Sequence, residues 1–262
     1  MLPMATWPAA SFRQGGGTSG GEGVRVLQVV ADGSLGGGTT HVLQLLSSLG
    51  PDLSLGLATQ RGSHLLREAR VLGLPHFGVD FFGAGLARAL LQLRRSVRTF
   101  RPHLVHVHGS RAALLYALAG APTPYVYTVH GSHILHRRGA LRWLGVRAER
   151  LAARRARHVV FVARYDARAA EAHRLIPPGA PWDVIHNGIA LDEVPRAAPT
   201  STAHIGFVGR LVPQKDPLLF LDVEERLPGY EATMVGGGSL AEALRAEVVR
   251  RRLAFEADPA RF

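Results

Sequence analysis

One turn of the sequence places an arginine, Arg210, five residues before a lysine, Lys215. Lys215 is the only lysine among the 31 lysine and arginine residues of the chain. The turn lies between a segment typical of a strand and one typical of a helix, so both cations could converge on a diphosphate at a helix N-terminus. A solvated pair of loop charges is the alternative. We expect these two side chains to bind a diphosphate, because the solitary lysine of an arginine-rich chain falls at this turn.

Three consecutive glycines, Gly36, Gly37 and Gly38, follow the first predicted strand, and Thr39 or Thr40 is the expected N-cap of the helix after them. Glycines at such a turn let the backbone approach a ligand, and the helix N-terminus offers unpaired N–H groups to a phosphate. A flexible connection is the alternative. The segment is not a Walker A loop, because it lacks the Gly-Lys-Ser/Thr ending.

A second glycine run, Gly236, Gly237 and Gly238, formally matches the Gly-x-Gly-x-x-Ala fingerprint of dinucleotide-binding proteins. An acidic residue should then end the next strand and hold the ribose hydroxyls, and Glu256 and Asp258 lie at nearly that distance. The fingerprint normally opens its domain, whereas this run follows the second strand of its segment. An NAD-dependent oxidoreductase is therefore the alternative function.

Three histidines lie at the ends of two successive predicted strands: His106 and His108 end one, and His130 follows the next. Side chains two apart on a strand share a face, so these three imidazoles could ligate a metal. Carboxylates or cysteines usually support such a site, and the neighbouring sequence has none. We therefore expect no metal, a ligand contact by His130, and structural roles for His106 and His108.

Short apolar segments alternate with helical segments from Val24 onward, which predicts an α/β fold with parallel sheets covered on both faces. A polar linker at residues 196–203 interrupts the alternation. We expect a disordered tail at residues 1–23, a Rossmann-like domain at 24–195, and a partial second domain at 204–262 that is too short to bury both faces of its sheet. All candidate residues lie at the carboxyl ends of strands, where open parallel sheets bind ligands.

The amino-acid composition excludes several kinds of site and of protein. The chain has no cysteine, which excludes disulfides, zinc–cysteine sites and cysteine nucleophiles. No apolar run reaches the ~18 residues of a spanning helix, and the tail lacks the apolar stretch of a signal peptide, so we expect a cytoplasmic protein. The net charge of +11 predicts an anionic partner. The arginine-rich helix at residues 137–157 resembles a membrane-surface helix, which suggests peripheral contact with a membrane. We expect the protein not to bind nucleic acid, since the sequence lacks an aromatic platform for base stacking. A non-catalytic basic binding module is the second alternative function.

Six stretches occur in a specific order: the glycine turn at 36–38, Pro102–His108, Thr128–Gly131, Val184–Ile189, Gly206–Leu211 with Lys215, and Val235–Gly238. Together they resemble the retaining GT-B glycosyltransferases, the large family that includes glycogen synthases, sucrose synthases and phosphatidylinositol mannosyltransferases. The resemblance implies two Rossmann-like domains, the first for the acceptor and the second for a nucleotide-diphosphate sugar donor.

Carried over to this chain, the resemblance implies that Arg210 and Lys215 bind the donor diphosphate, assisted by backbone N–H groups of Gly37 and Gly38. It implies that His130 is the catalytic residue that contacts the transferred sugar. It also implies donor or hinge contacts at Gly36, Asn187, Gly188, Gly236, Gly237 and Gly238. No metal or other cofactor is implied, because the basic groups stabilise the leaving nucleotide. The acceptor stays open, with a lipid-linked or cell-envelope glycan as one class.

The sequence departs from the family at three places. The family's donor domain carries two glutamates eight residues apart, in a segment that would lie beyond Phe262. We therefore expect a truncated chain with impaired catalysis. His186 stands where the family usually has proline, and Val162-Ala163-Arg164 lacks the family's serine after the sixth strand.

Overall fold

The computed structural model describes residues 23–49, 53–83, 85–131, 138–189, 203–227 and 229–251. These residues fall into two compact units: those up to 189 belong to the first, and those from 203 onward belong to the second. We call them the N-terminal unit and the C-terminal unit and describe each by itself.

The N-terminal unit is built on one sheet of seven parallel strands in the order β3-β2-β1-β4-β5-β6-β7. The strands are β1 (Val24–Val30), β2 (Leu53–Gln60), β3 (His76–Val79), β4 (Leu104–His108), β5 (Tyr125–Val129), β6 (His158–Phe161) and β7 (Trp182–Val184). The helices are α1 (Gly37–Ser48), α2 (His64–Val71), α3 (Leu86–Phe100), α4 (Ser110–Ala119), α5 (Gly139–Arg155) and α6 (Arg164–Ala172). Parallel neighbours need crossover connections, which is why helices and strands alternate along the chain. The predicted α/β fold with a parallel sheet is confirmed.

The central strand β1 is buried on both faces. Leu27 and Val29 belong to a cluster that includes residues of α3 to α6, whereas Val26 and Val30 pack into a second cluster with α1 and α2. Successive side chains of a strand point to opposite faces, so the two clusters cover the two sides of the sheet. Among the buried residues of β1, Gln28 is the polar one, and it is fully buried.

Helix α1 begins earlier than the sequence suggests. It starts at Gly37 with Gly36 as its N-cap, so the expected cap at Thr39 or Thr40 is wrong. Both threonine hydroxyls donate hydrogen bonds instead: Thr39 Oγ1 to the carbonyl oxygen of Ser34 at 2.5 Å, and Thr40 Oγ1 to that of Gly36 at 3.2 Å. The hydroxyls thus hold the preceding loop against the helix and do not cap its N–H groups.

The described part of the C-terminal unit contains two parallel strands, β8 (His204–Val208) and β9 (Glu231–Val235), and two helices, α7 (Pro217–Glu224) and α8 (Ala241–Arg250). A 3-10 turn at Pro213–Lys215 precedes α7. The core of the described part of this unit is a cluster of four buried side chains: Leu211, Leu221, Leu244 and Val248. Because this core is small, modest changes in backbone packing should perturb the unit strongly.

Candidate functional site

The centre of the N-terminal sheet is the point at which the strand order reverses, between β1 and β4. In open parallel sheets, the crevice outside the carboxyl ends of such strands binds ligands. The glycine turn follows β1, His108 ends β4, and His130 follows β5. Three features predicted from the sequence therefore lie at one edge of one sheet.

Gly38 and His130 are neighbours in space. A Cβ atom built on Gly38 would lie 3.9 Å from Cγ of His130, an ordinary van der Waals distance. His41 of α1 lies edge-on to His130, with ring centroids 5.3 Å apart, and to His108 at 5.9 Å. His41 was missed from the sequence, although a histidine in the helix that follows a glycine turn was a usable signal.

The remaining glycines of this turn are open to ligands. Gly36 and Gly37 are exposed, and a Cβ atom built on either would meet nothing within 4 Å. The sequence proposed backbone contacts from Gly37 and Gly38. The structure leaves space in front of the first and a histidine ring beside the second.

A hydrogen-bond chain runs from the buried strand β1 to His130. Nε2 of His108 lies 2.8 Å from Oε1 of Gln28, and Nδ1 of His108 lies 3.1 Å from Nε2 of His130. Because an amide oxygen only accepts, His108 carries its proton on Nε2, and its bare Nδ1 accepts the Nε2–H of His130. Nε2 of Gln28 has no partner among the described residues. The chain orients the His130 ring and leaves its Nδ1 with a lone pair.

Burial keeps these imidazoles neutral. It lowers the pKa of His106 and of His130 to about 4, and it lowers the pKa of His108 well below the ordinary value. The pKa of His41 is lowered for the same reason. Desolvation disfavours the charged form of a base, and the neighbouring imidazoles add to the effect. The cluster can therefore offer hydrogen bonds to hydroxyl groups at neutral pH, but it offers no positive charge to a phosphate.

Three of these histidines could hold a metal ion. The ligand nitrogens of His41, His108 and His130 lie within 4.8 Å of one another, and no other such group of metal-ligating side chains occurs in the described residues. The set that the sequence offered as an alternative, while a metal was not expected, contained His106 in place of His41. The structure instead pairs Nε2 of His106 with Oγ1 of Thr128 at 2.7 Å.

The two predicted diphosphate ligands lie in the C-terminal unit. Arg210 follows β8, Lys215 ends the 3-10 turn, and both side chains are exposed. Nη2 of Arg210 lies 3.4 Å from Oε1 of Gln214, a long contact that an incoming anion could replace. The two cations therefore occupy the segment between β8 and α7, as the sequence predicts.

The second glycine run packs against the loop that carries Arg210. A Cβ atom on Gly236 would lie 1.8 Å from the carbonyl oxygen of Gly209, and one on Gly238 would lie 2.4 Å from that of Leu211. The N–H of Leu211 donates to the carbonyl oxygen of Gly237 at 2.9 Å, whereas a Cβ on Gly237 would meet nothing within 4 Å. Gly236 and Gly238 therefore allow two loops to approach, and Gly237 alone faces open space.

The hinge-like segment follows the edge strand β7. Asn187 and Gly188 are exposed there. Nδ1–H of His186 donates to the carbonyl oxygen of Val162, at a distance of 2.9 Å. The histidine at the family's proline position therefore ties this segment to the end of β6.

The predicted basic helix corresponds to α5, and its first predicted residue, Arg137, lies outside the described residues. Leu141, Trp143 and Leu144 are each more than half exposed near its start. The guanidinium of Arg147 lies 4.0 Å from the ring centroid of Trp143. Of the described helices, none combines the length and the apolar character needed to cross a membrane.

Residues 35–193 match the model of a protein family described as Glycosyltransferase Family 4. The match covers more than half of the chain. This chain belongs to glycosyltransferase family 4. The matched range includes the glycine turn, all four clustered histidines and the hinge-like segment. A search of curated protein sequences gives no significant match.

Solved structures show the same fold as this family 4 chain. HepE of Anabaena in complex with UDP-glucose aligns with a TM-score of 0.72 and 17% identity, over 87% of this chain and 66% of that protein. Sucrose-phosphate synthase from Thermosynechococcus elongatus aligns with a TM-score of 0.68 and 12% identity, over 88% and 68%. The chain thus spans about two thirds of the length of these structures. The expected GT-B fold is confirmed.

Proposed function

We propose that this chain transfers a sugar from a nucleotide-diphosphate sugar to an acceptor, with retention of configuration and without a metal ion. The main support for the proposal is that His130 lies beside the glycine turn in a family 4 domain, at the point where the strand order of the sheet reverses. The complex of HepE with UDP-glucose supports a nucleotide-sugar donor. Family membership favours glycosyl transfer over the NAD-dependent oxidoreductase and over a non-catalytic basic module.

The donor diphosphate is assigned to Arg210 and Lys215. The clustered histidines are neutral, so the charge that balances a leaving nucleotide must come from other groups. An exposed guanidinium and an exposed ammonium between β8 and α7 are suited to this task, since they can stabilise developing negative charge without a metal. In the N-terminal unit, the open backbone at Gly37 offers an N–H group suited to a phosphate.

The transferred sugar is assigned to His130. Its Nε2 is engaged by His108, so its Nδ1 lone pair is the atom that can accept a hydrogen bond from a sugar hydroxyl. A neutral imidazole held in this way positions the sugar and tolerates the developing charge at the reacting carbon better than a cation would.

Nucleotide affinity tests the donor assignment. We would titrate the full chain with UDP, GDP and ADP by calorimetry and compare Arg210→Met and Lys215→Met with Arg226→Met, which removes an exposed arginine from the same unit. One hydrogen bond from a charged group contributes about 1.5–3 kcal/mol, so each of the first two variants should bind the preferred nucleotide ~10–100-fold more weakly. Arg226→Met should bind like the wild type.

Equal affinities in all four proteins would refute the donor assignment. Tight binding of NADH, with displacement of the nucleotide, would instead support the oxidoreductase. For the mechanism, nuclear magnetic resonance of the released or transferred sugar should show the anomeric configuration of the donor, and turnover should persist in EDTA. An inverted product would refute retention.

The acceptor is proposed to lie at the cytoplasmic face of a membrane, which α5 would contact peripherally. The support is the set of exposed apolar side chains among arginines at the start of this helix. The chain should co-sediment with phosphatidylglycerol vesicles, less at high salt, and Trp143→Glu should weaken the association. Leu91→Glu, which changes an exposed leucine of α3, is the matched control. Equal vesicle binding by both variants would remove the support for α5.

A further inference from the structure

We propose that His41, His108 and His130 form a binding site for a divalent transition-metal ion of the class that prefers imidazole, such as Zn²⁺, Ni²⁺ or Cu²⁺. The three side chains come from three separate elements, α1, β4 and the loop after β5, which the fold brings to one edge of the sheet. Nothing in the proposed glycosyl transfer requires this site. A bound ion would leave Nδ1 of His130 protonated, so the ion and a sugar hydroxyl that donates to Nδ1 would exclude each other, and the two proposals can fail separately.

The separation of two of the nitrogens already suits a metal. Nδ1 of His108 and Nε2 of His130 are 3.1 Å apart. Two nitrogens bound at 2.0–2.1 Å to one tetrahedral ion are ~3.3 Å apart. The ion would take the place of the hydrogen bond between the two rings. The proton on Nε2 of His130 would move to its Nδ1, so both lone pairs would face the ion and no proton would be lost from the pair.

Gln28 holds the first of these ligands in the required tautomer. Metal-bound histidines usually donate their second ring N–H to a fixed acceptor, which orients the ring. Here Oε1 of the fully buried Gln28 accepts the Nε2–H of His108 at 2.8 Å and directs Nδ1 into the cluster. The outer partner of a metal ligand is thus present without any rearrangement.

His41 completes the set from the solvent side. It is partly exposed, and its ring centroid lies within 6 Å of those of both other rings. The three ligand nitrogens lie within 4.8 Å of one another, so the His41 nitrogen needs to approach the other two by at most about 1.5 Å to match the ~3.3 Å spacing of two nitrogens on one ion. Three protein ligands leave a fourth position for water or a ligand oxygen, as in open metal sites. Three imidazoles without a carboxylate favour Zn²⁺, Ni²⁺ or Cu²⁺ over Mg²⁺, Ca²⁺ or Mn²⁺.

Metal titration of the full chain tests the site. EDTA-treated protein should bind one Zn²⁺ in calorimetry, and Co²⁺ should give the visible absorption bands of a low-coordinate nitrogen site. His41→Gln should lower the Zn²⁺ affinity at least 10-fold and abolish the Co²⁺ bands. Gln28→Leu should lower the affinity ~10–100-fold, the usual effect of losing an outer partner. Mg²⁺ should give no heat.

Two controls keep the test decisive. His173→Gln removes an exposed histidine. His64→Gln removes a half-buried histidine of α2, whose Nδ1 lies 3.7 Å from Oε1 of Glu68. Both variants should bind like the wild type. Wild-type protein without Zn²⁺ binding, or a loss of binding that follows His64→Gln and spares His41→Gln, would overturn the site. His41→Gln changes a partly exposed residue, so circular dichroism should show an intact fold.

Discussion

The substitution Gly236→Ala should displace the loop that carries Arg210. The added Cβ atom would lie 1.8 Å from the carbonyl oxygen of Gly209, so that carbonyl must retreat by about 1.2 Å to reach even 3.0 Å. The φ angle of Gly236 is +150°, a region that costs a non-glycine residue about 1–3 kcal/mol.

The retreat also weakens a hydrogen bond that joins the two loops. The N–H of Gly209 donates to the carbonyl oxygen of Val235 at 3.0 Å, and such a bond contributes about 1 kcal/mol. Strain and lost hydrogen bonding together should lower the stability of the C-terminal unit by ~2–4 kcal/mol. Because its core cluster has four buried side chains, this loss should open the unit locally.

Hydrogen–deuterium exchange of the full chain, read by mass spectrometry, measures the effect. Peptides that cover residues 204–215 should exchange ~30–1,000-fold faster in Gly236→Ala, which is the rate equivalent of ~2–4 kcal/mol. Nucleotide affinity should fall in parallel. Gly237→Ala is the matched control, because its Cβ atom would meet nothing within 4 Å. If both variants exchange at the same rate, the packing role of Gly236 is refuted.

Three further predictions concern the N-terminal unit. Gly56→Ala should lower the free energy of unfolding by about 1–3 kcal/mol, because its Cβ atom would lie 2.9 Å from Cζ of Phe100. In a double-mutant cycle measured by urea unfolding, Phe100→Leu should relieve most of this loss. Additive effects of the two substitutions would contradict the contact. The pKa of His106 is about 4 in the folded chain, so the unfolded chain binds more protons below pH 6.5. The free energy of unfolding should therefore fall by ~2 kcal/mol per such histidine from pH 7 to pH 5. His106→Asn in EDTA should flatten that pH dependence by this amount, and an unchanged slope would argue against its burial as the cause. Ser63→Ala should lower the free energy of urea unfolding by about 1 kcal/mol, because the Ser63 side chain accepts a hydrogen bond from the N–H of Leu66 at the start of α2. A loss as small as that of an exposed surface substitution would show that the cap is unimportant.

Much of the fold could be predicted from local patterns. A parallel strand buried on both faces needs a mostly apolar segment, and five of the seven residues of β1 are apolar. Crossover helices must separate such strands, so the alternation alone predicted the α/β class. The rule that ligands bind at carboxyl strand ends was enough to bring the glycine turn and His130 to one edge.

Local patterns were less informative where one residue has two uses. The expected caps Thr39 and Thr40 turn their hydroxyls toward backbone carbonyls, because the glycines before them allow the helix to start earlier. A propensity assigns threonine to an N-cap, but it does not show which acceptor the hydroxyl will find.

The sequence by itself determined which kinds of side chain meet at the strand ends, because strand periodicity and chain order decide that much. Only the tertiary structure decided their partners. It brought His41 to His108 across α1 and β4, buried Gln28 beneath them, and placed Gly236 against the carbonyl of Gly209. These contacts join residues far apart in the chain, and their geometry depends on how the helices and strands pack against one another. A local sequence pattern therefore does not predict them.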